Sequence, residues 1–209
     1  MSAYPAVWLD AVNKKLNEVE RNMLLYYLIM VLPITAMISL LVYLPICLIN
    51  RKKYGKRPFI RHLAIYAFIG IILSVLYATI FIYGFDITSN SEYRFLNLVP
   101  FIWVKETYAM GINKMIEQLL MNIIMIVPLG FIVPVVFKSL RKWWKTGISL
   151  MVFITCIEIL QYFIGRSADV DDLIMNTFGG LIGYVLMAVF NKCFKNKAWW
   201  QKALNNEQL

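Results

Sequence analysis

Charge is scarce in this 209-residue chain: Asp, Glu, Lys and Arg together make up 16%, where a soluble globular domain carries roughly a quarter. With 60% hydrophobic residues and a mean hydropathy of +0.65, the deficit excludes a disordered chain and an ordinary soluble domain. Histidine occurs once, at His62, so there is no His cluster for a metal or for proton relay. The three cysteines, Cys47, Cys156 and Cys193, lie in or at the ends of apolar runs, which excludes a disulfide scaffold. A nucleophile motif, a phosphate-binding glycine loop, an internal repeat and a low-complexity segment are also missing. No cleaved signal peptide is expected, because the first apolar run starts at Met23, is too long for a signal h-region and follows no basic segment.

What the chain does have is long apolar runs, which point to a bilayer as solvent. A helix rises ~1.5 Å per residue and the hydrocarbon core is ~30 Å thick, so about 20 residues are needed to cross. Five stretches qualify: Met23–Ile49, Leu63–Phe85, Leu119–Phe137, Gly147–Ile164 and Leu173–Phe190. Runs of this length mean helices rather than barrel strands. The expected fold is therefore all-α, a polytopic membrane bundle of five transmembrane helices over residues 23–190. An outer loop spans 86–118, and a basic tail spans 191–209.

Net charge is +9, which invites a nucleic-acid reading, but the distribution assigns it to topology. Segments 50–62, 138–146 and 191–209 hold 14 of the 21 lysines and arginines and one of the 12 acids. The positive-inside rule makes them cytoplasmic, with the amino terminus outside and the carboxyl terminus inside. Anionic membrane lipids, not nucleic acid, are the expected partners of these cations. Residues 1–22 read as an extracytoplasmic amphipathic segment, with Trp8, Val12, Leu16 and Val19 at helical spacing. Trp143, Trp144, Trp199 and Trp200 beside basic residues read as interfacial anchors, and His62 as a solvated or interfacial residue.

Polar groups inside the spans are expensive, and an ionisable one is a functional candidate by default. Glu158 is such a group, with Gln161 one turn later on the same face. It precedes Ile164 by six residues, so it lies ~9 Å below the outer end of its span. On the returning span Asn176 lies ~6 Å below the same boundary, and Asn122 is near the outer end of the third span. These four groups are expected to meet at one depth, with Arg166, Asp169 and Asp172 just above. On a structural reading, Glu158 is protonated or paired with Arg166 and the amides tie helix to helix, each contact contributing roughly 0.6 to 2 kcal/mol. Functionally, the cluster lines a pocket for a polar headgroup or for chemistry upon it, with Glu158 and Asp172 as the catalytic candidates. The Asp-x-Asp-Asp spacing is too weak to assign a metal, and no cofactor is implied. Gly179, Gly180 and Gly183 form a GxxxG-type step for close helix packing. Pro128 and Pro134 are expected to kink the third span, and Pro33 and Pro45 the first.

Glu158-x-x-Gln161, Arg166, Asp169, Asp172, Asn176, Gly179–Gly180 and Gly183 together resemble the signature of VanZ-like membrane proteins. Upstream, Arg94 with Asn97-Leu98-Val99-Pro100-Phe101 is similar to that family's extracytoplasmic entry motif. Asn122 with Pro128-Leu129-Gly130 is similar to its central motif, so the blocks follow the family's order over residues 94–185. The resemblance implies a multi-pass protein of the bacterial cytoplasmic membrane linked to resistance to glycopeptide antibiotics, teicoplanin in particular. It supplies no reaction.

The leading expectation is an outward-facing acidic pocket that binds a lipid-linked cell-wall intermediate, a phospholipid headgroup or a lipoglycopeptide. Glu158 and Asn176 form its floor, Gln161 and Asn122 orient them, and Asp169 and Asp172 contact cationic or hydroxylated parts of the ligand. Arg166 and Arg94 offer anionic groups a partner, and the resemblance adds Asn97 to the ligand-binding set. The alternative is a membrane-embedded enzyme using a Glu/Asp acid–base pair on a lipid-linked substrate. A transporter half that forms a homo-oligomer through the GxxxG helix ranks third.

Overall fold

Backbone groups in hydrocarbon have to be satisfied within the chain, and the apolar runs do so as helices in the computed structural model, which describes residues 29, 31–54, 57–81, 96–102 and 111–205. Residues 1–28, including the N-terminal amphipathic segment and the start of the first span, lie outside the described residues, as does Arg94. In chain order the elements are α1 (Leu32–Tyr54), α2 (Phe59–Leu76), β1 (Leu96–Asn97), α3 (Ile112–Val136), α4 (Trp143–Phe163), β2 (Ala168–Asp169), α5 (Val170–Phe194) and α6 (Ala198–Leu204). A π turn, Tyr77–Phe81, continues α2, and a single 3-10 turn, Lys138–Leu140, follows α3. Among the described residues five helices, α1 to α5, are long and apolar enough to cross a membrane. Helix α4 starts at Trp143, upstream of its apolar run, because the flanking Trp-Trp-Lys residues continue the helix.

The α3–α5 seam is the most extensive contact, and glycine makes it possible. A Cβ on Gly179 would stand 2.2 Å from the Ile123 carbonyl oxygen, and one on Gly183 would stand 2.1 Å from that of Val127. From the other side, a Cβ on Gly130 would fall 2.0 Å from the Gly180 oxygen. These backbones touch where any side chain would separate them, which is how small residues associate helices in lipid. The glycine face is thus filled within the chain, so it is not free to pair two copies. Helix α3 runs through Pro128 and Pro134 without interruption.

Helix α1 is the least enclosed span. Its buried positions Thr35, Ser39 and Tyr43 recur every fourth residue, a single stripe against α2. Thr35 and Ser39 donate back to carbonyls four residues earlier, so their hydroxyls are satisfied locally. Between Leu32 and Ile49 its other side chains, Cys47 apart, are exposed, as lipid contact requires.

At the basic end, two arginines act as internal caps rather than as solvated topology charges. Arg61 on α2 is 7% exposed and donates to the carbonyls of Val135 (2.9 Å), Val136 (2.6 Å) and Ala203 (2.9 Å). Arg141 donates to Pro134 (3.2 Å) and to Leu204. The last four carbonyls of a helix lack intrahelical partners, and these guanidiniums supply them for α3 and α6 together. Burial holds the Arg141 guanidinium below its ordinary value. Two readings from sequence are corrected here. Trp200 is 4% exposed, donates to Asn191 Oδ1 at 2.8 Å and packs on Phe190, so it is a core residue of the α6 dock and no interfacial anchor. His62 is partly buried and hydrogen-bonded through Nδ1 to the Tyr43 hydroxyl, joining α2 to α1.

Candidate functional site

The opposite end is organised by the turn between α4 and α5. Helix α4 closes with the N–H of Gly165 on the Tyr162 carbonyl (3.3 Å) and that of Arg166 on the Gln161 carbonyl (2.9 Å). That is a Schellman ending, and it requires the left-handed conformation that Gly165 adopts at φ +94°. The chain then lays β2 parallel to β1, pairing Leu96 with Ala168 and Asn97 with Asp169. Asp169 caps α5 by accepting from the Asp171 N–H at 2.8 Å.

From this turn, three sets of polar contacts reach different neighbours. Toward β1, Asn97 Nδ2 donates to Asp169 Oδ1 at 3.0 Å while its own Oδ1 accepts from the Val99 N–H at 3.0 Å. Asp171, 3% exposed, accepts from the Phe101 N–H at 2.7 Å and so holds Phe101, at φ +63°, over the end of α5. Toward α3, Asn122 Nδ2 donates to Asp172 Oδ1 at 2.5 Å. Toward α2, Gln161 Nε2 (2.8 Å) and an Arg166 guanidinium nitrogen (2.5 Å) both donate to the Thr79 carbonyl. Thr79 sits in the π turn, where the wider winding shifts carbonyls off the regular ladder.

Glu158 faces inward: it is 9% exposed and accepts from the Asp169 N–H at 3.3 Å through Oε2. Its other oxygen has no hydrogen-bond partner among the described residues, and the group lies within the fields of Asp172, Asp169 and Arg166. Beside it opens a cleft of about 400 Å³ between β1, the end of α4 and the start of α5. Glu158, Asp169, Asn97, Thr155 and Tyr162 are its lining residues with polar side-chain groups, and Ile159, Phe163, Leu173 and Leu98 are among its apolar walls.

The expected four-residue cluster is therefore divided. Glu158, Asp169 and Asn97 share the cleft, whereas Asn122 and Asp172 form a separate bond and do not line it. Gln161 and Arg166 brace the end of α2, because a backbone acceptor off the helical ladder draws the donors that the sequence assigned to a ligand. Asn176 is 6% exposed, and its Oδ1 is buried with no hydrogen-bond partner among the described residues. The three aspartates have separate partners, and among the described residues no group of three His, Cys, Asp or Glu side chains is placed to hold a metal ion. Sequence reasoning missed Asp171 and Thr79. For Asp171 a signal existed, an acid in the first turn after a capping Asp; for Thr79 none did, since the acceptor is its backbone.

Comparisons with known proteins identify the family. The family model described as VanZ/LLP1 matches residues 63–191, from near the start of α2 to the last turn of α5, and so includes every residue that lines the cleft among the described residues. Protein VanZ of Enterococcus faecium is 30% identical over 129 residues, covering 60% of this chain and 74% of that protein. No solved structure matches. With a family match over more than half its length, a relative of this similarity and five apolar helices, the chain is an integral membrane protein and belongs to the VanZ/LLP1 family.

Proposed function

We propose that this VanZ family member binds a lipid-anchored or lipophilic envelope molecule in the cleft at Glu158, and that through this binding it acts in glycopeptide resistance, with teicoplanin as the relevant drug. The carrying observation is the cleft floor: a carboxylate buried to nine-tenths, with one oxygen lacking a partner among the described residues, at the base of a mostly apolar opening. Asp169 Oδ1 accepts two hydrogen bonds that cap α5 and tie it to β1, and Asp172 Oδ1 accepts a short one from Asn122 on α3, whereas Glu158 accepts a single 3.3 Å bond and leaves an oxygen beside the cleft. An acceptor left unmatched costs about 1 to 3 kcal/mol. Apolar walls with few polar groups are what small-molecule sites are made of. Because the basic segments are at the other end, the positive-inside rule supports the reading that the cleft faces the outer leaflet, the membrane in this proposal being the bacterial cytoplasmic one. Binding is supported over catalysis, because Asp172 is turned to Asn122 and does not open on the same cleft as Glu158.

The test is drug susceptibility in a sensitive host producing wild type, Glu158→Gln, Asp172→Asn or Arg166→Ala, each at matched membrane levels. Glu158→Gln is expected to abolish protection, and the other two to reduce it by loosening the turn. Full protection by all three variants would overturn the proposal and leave the polar groups as packing.

A further inference from the structure

We propose that the cleft selects an amphiphile whose head is a protonated amine; this rests on the reading of the cleft as a binding site and names the class of its ligand. Its lining carboxylates are Glu158 and Asp169, and among the described residues no lysine or arginine lines it. Arg166, the cation that the sequence offered to an anionic head, donates instead to the Thr79 carbonyl on the α2 side. The α5 N-terminus adds about half a positive charge, but Asp169, Asp171 and Asp172 already stand on it. A phosphate head would therefore meet like charge.

Hydrogen-bonding capacity points the same way. The Asn97 amide nitrogen is engaged by Asp169, and the Asp169 N–H by Glu158, so these donors of the cleft are already in use. The Thr155 hydroxyl is spent on the Met151 carbonyl, so what remains open among the described lining side chains is chiefly acceptor, the second oxygens of Glu158 and Asp169, with the Tyr162 hydroxyl as a donor beside them. An ammonium brings three donors and no acceptor. Tyr162 and Phe163 also line the cleft, and aromatic faces attract a cation within about 6 Å. The volume of about 400 Å³ suits such a head and the first carbons of its chain, with the rest of the chain lying along exposed Ile159 and Phe163.

The experiment uses the full chain in phosphatidylcholine nanodiscs and three photoreactive alkyl probes, identical except for an ammonium, hydroxyl or phosphate head. Labelling of residues 155–173 is mapped against probe concentration. The ammonium probe is expected to half-saturate at a concentration about tenfold below the phosphate probe, the scale of one charge-assisted contact. Glu158→Gln should bring the two within about twofold. Asp169→Asn, which keeps a capping side chain, should narrow the gap in part. Equal or tighter labelling by the phosphate probe overturns the amine assignment alone, as does an ammonium preference that survives both substitutions. If no probe labels the segment at any concentration, the binding reading falls with it.

Discussion

The two ends of the bundle treat buried polarity in opposite ways. At the basic end, Arg61 and Arg141 are buried to different degrees, and both are aimed at carbonyls where α3 and α6 terminate. Aromatic and aliphatic side chains of α6 then seal that end. At the acidic end, the turn of Asp169, Asp171 and Asp172 is likewise braced, but Glu158 is left with an open acceptor and a cleft beside it. A charge in a membrane protein is thus no mark of function by itself. What distinguishes the two ends is where leftover hydrogen-bonding capacity lies: at the basic end Arg61 Nε is unpartnered among the described residues but sealed in the core, whereas the open oxygen of Glu158 stands beside a cleft.

The largest effect is expected from breaking the seam that joins the two ends. Gly183→Val places a branched side chain where even a Cβ would stand 2.1 Å from the Val127 oxygen. Because both contacting atoms belong to helix backbones, relief requires α3 and α5 to move apart, at a cost of about 3 kcal/mol or more. Membrane levels and thermal melting in detergent should both fall, and the cleft and the arginine dock should be lost together. A variant that melts like wild type would show that the helices do not meet as closely as described.

Next in size is a substitution confined to the basic end. Arg61→Met keeps much of the aliphatic volume and removes three hydrogen bonds to carbonyls of α3 and α6. Each bond from a charged donor contributes about 1.5 to 3 kcal/mol, offset in part because the buried charge is removed as well. A net loss of about 3 kcal/mol is expected, with α6 released to proteolysis. Probe binding at the acidic end should persist in the folded fraction. Loss of binding at full stability would mean that the ends are coupled, and the comparison would have to be redrawn.

How much of this was legible in the sequence follows from what a sequence contains. Span length, the lone deep acid at Glu158 and the glycines of α5 are one-dimensional signals, since each follows from hydrophobic run length or from residue type at helical spacing. The partners of Arg61, Arg166 and Gln161 are backbone carbonyls, and every residue has one, so no residue type marks Val135 or Thr79 as an acceptor. Arg61 consequently read as one more cation in a basic segment, and Arg166 as an anion receptor. Trp200 reads like Trp199 because burial depends on how α6 docks, whereas Trp199 is 43% exposed.

The smallest effect sharpens the picture of the cleft itself. Asn97 ties the β1 segment to the α5 cap through its bond to Asp169, and its bond to the Val99 N–H shapes the turn that follows. Both bonds are part-buried and lie at the rim, so Asn97→Ala should lower overall stability by about 1 kcal/mol. Its main consequence is local. Amide exchange should quicken over 96–101, and the affinity of the ammonium probe should fall while its preference over phosphate stays, because Glu158 is untouched. If the preference itself disappeared, Asn97 would be a direct determinant of head recognition, and the rim could no longer be separated from the floor.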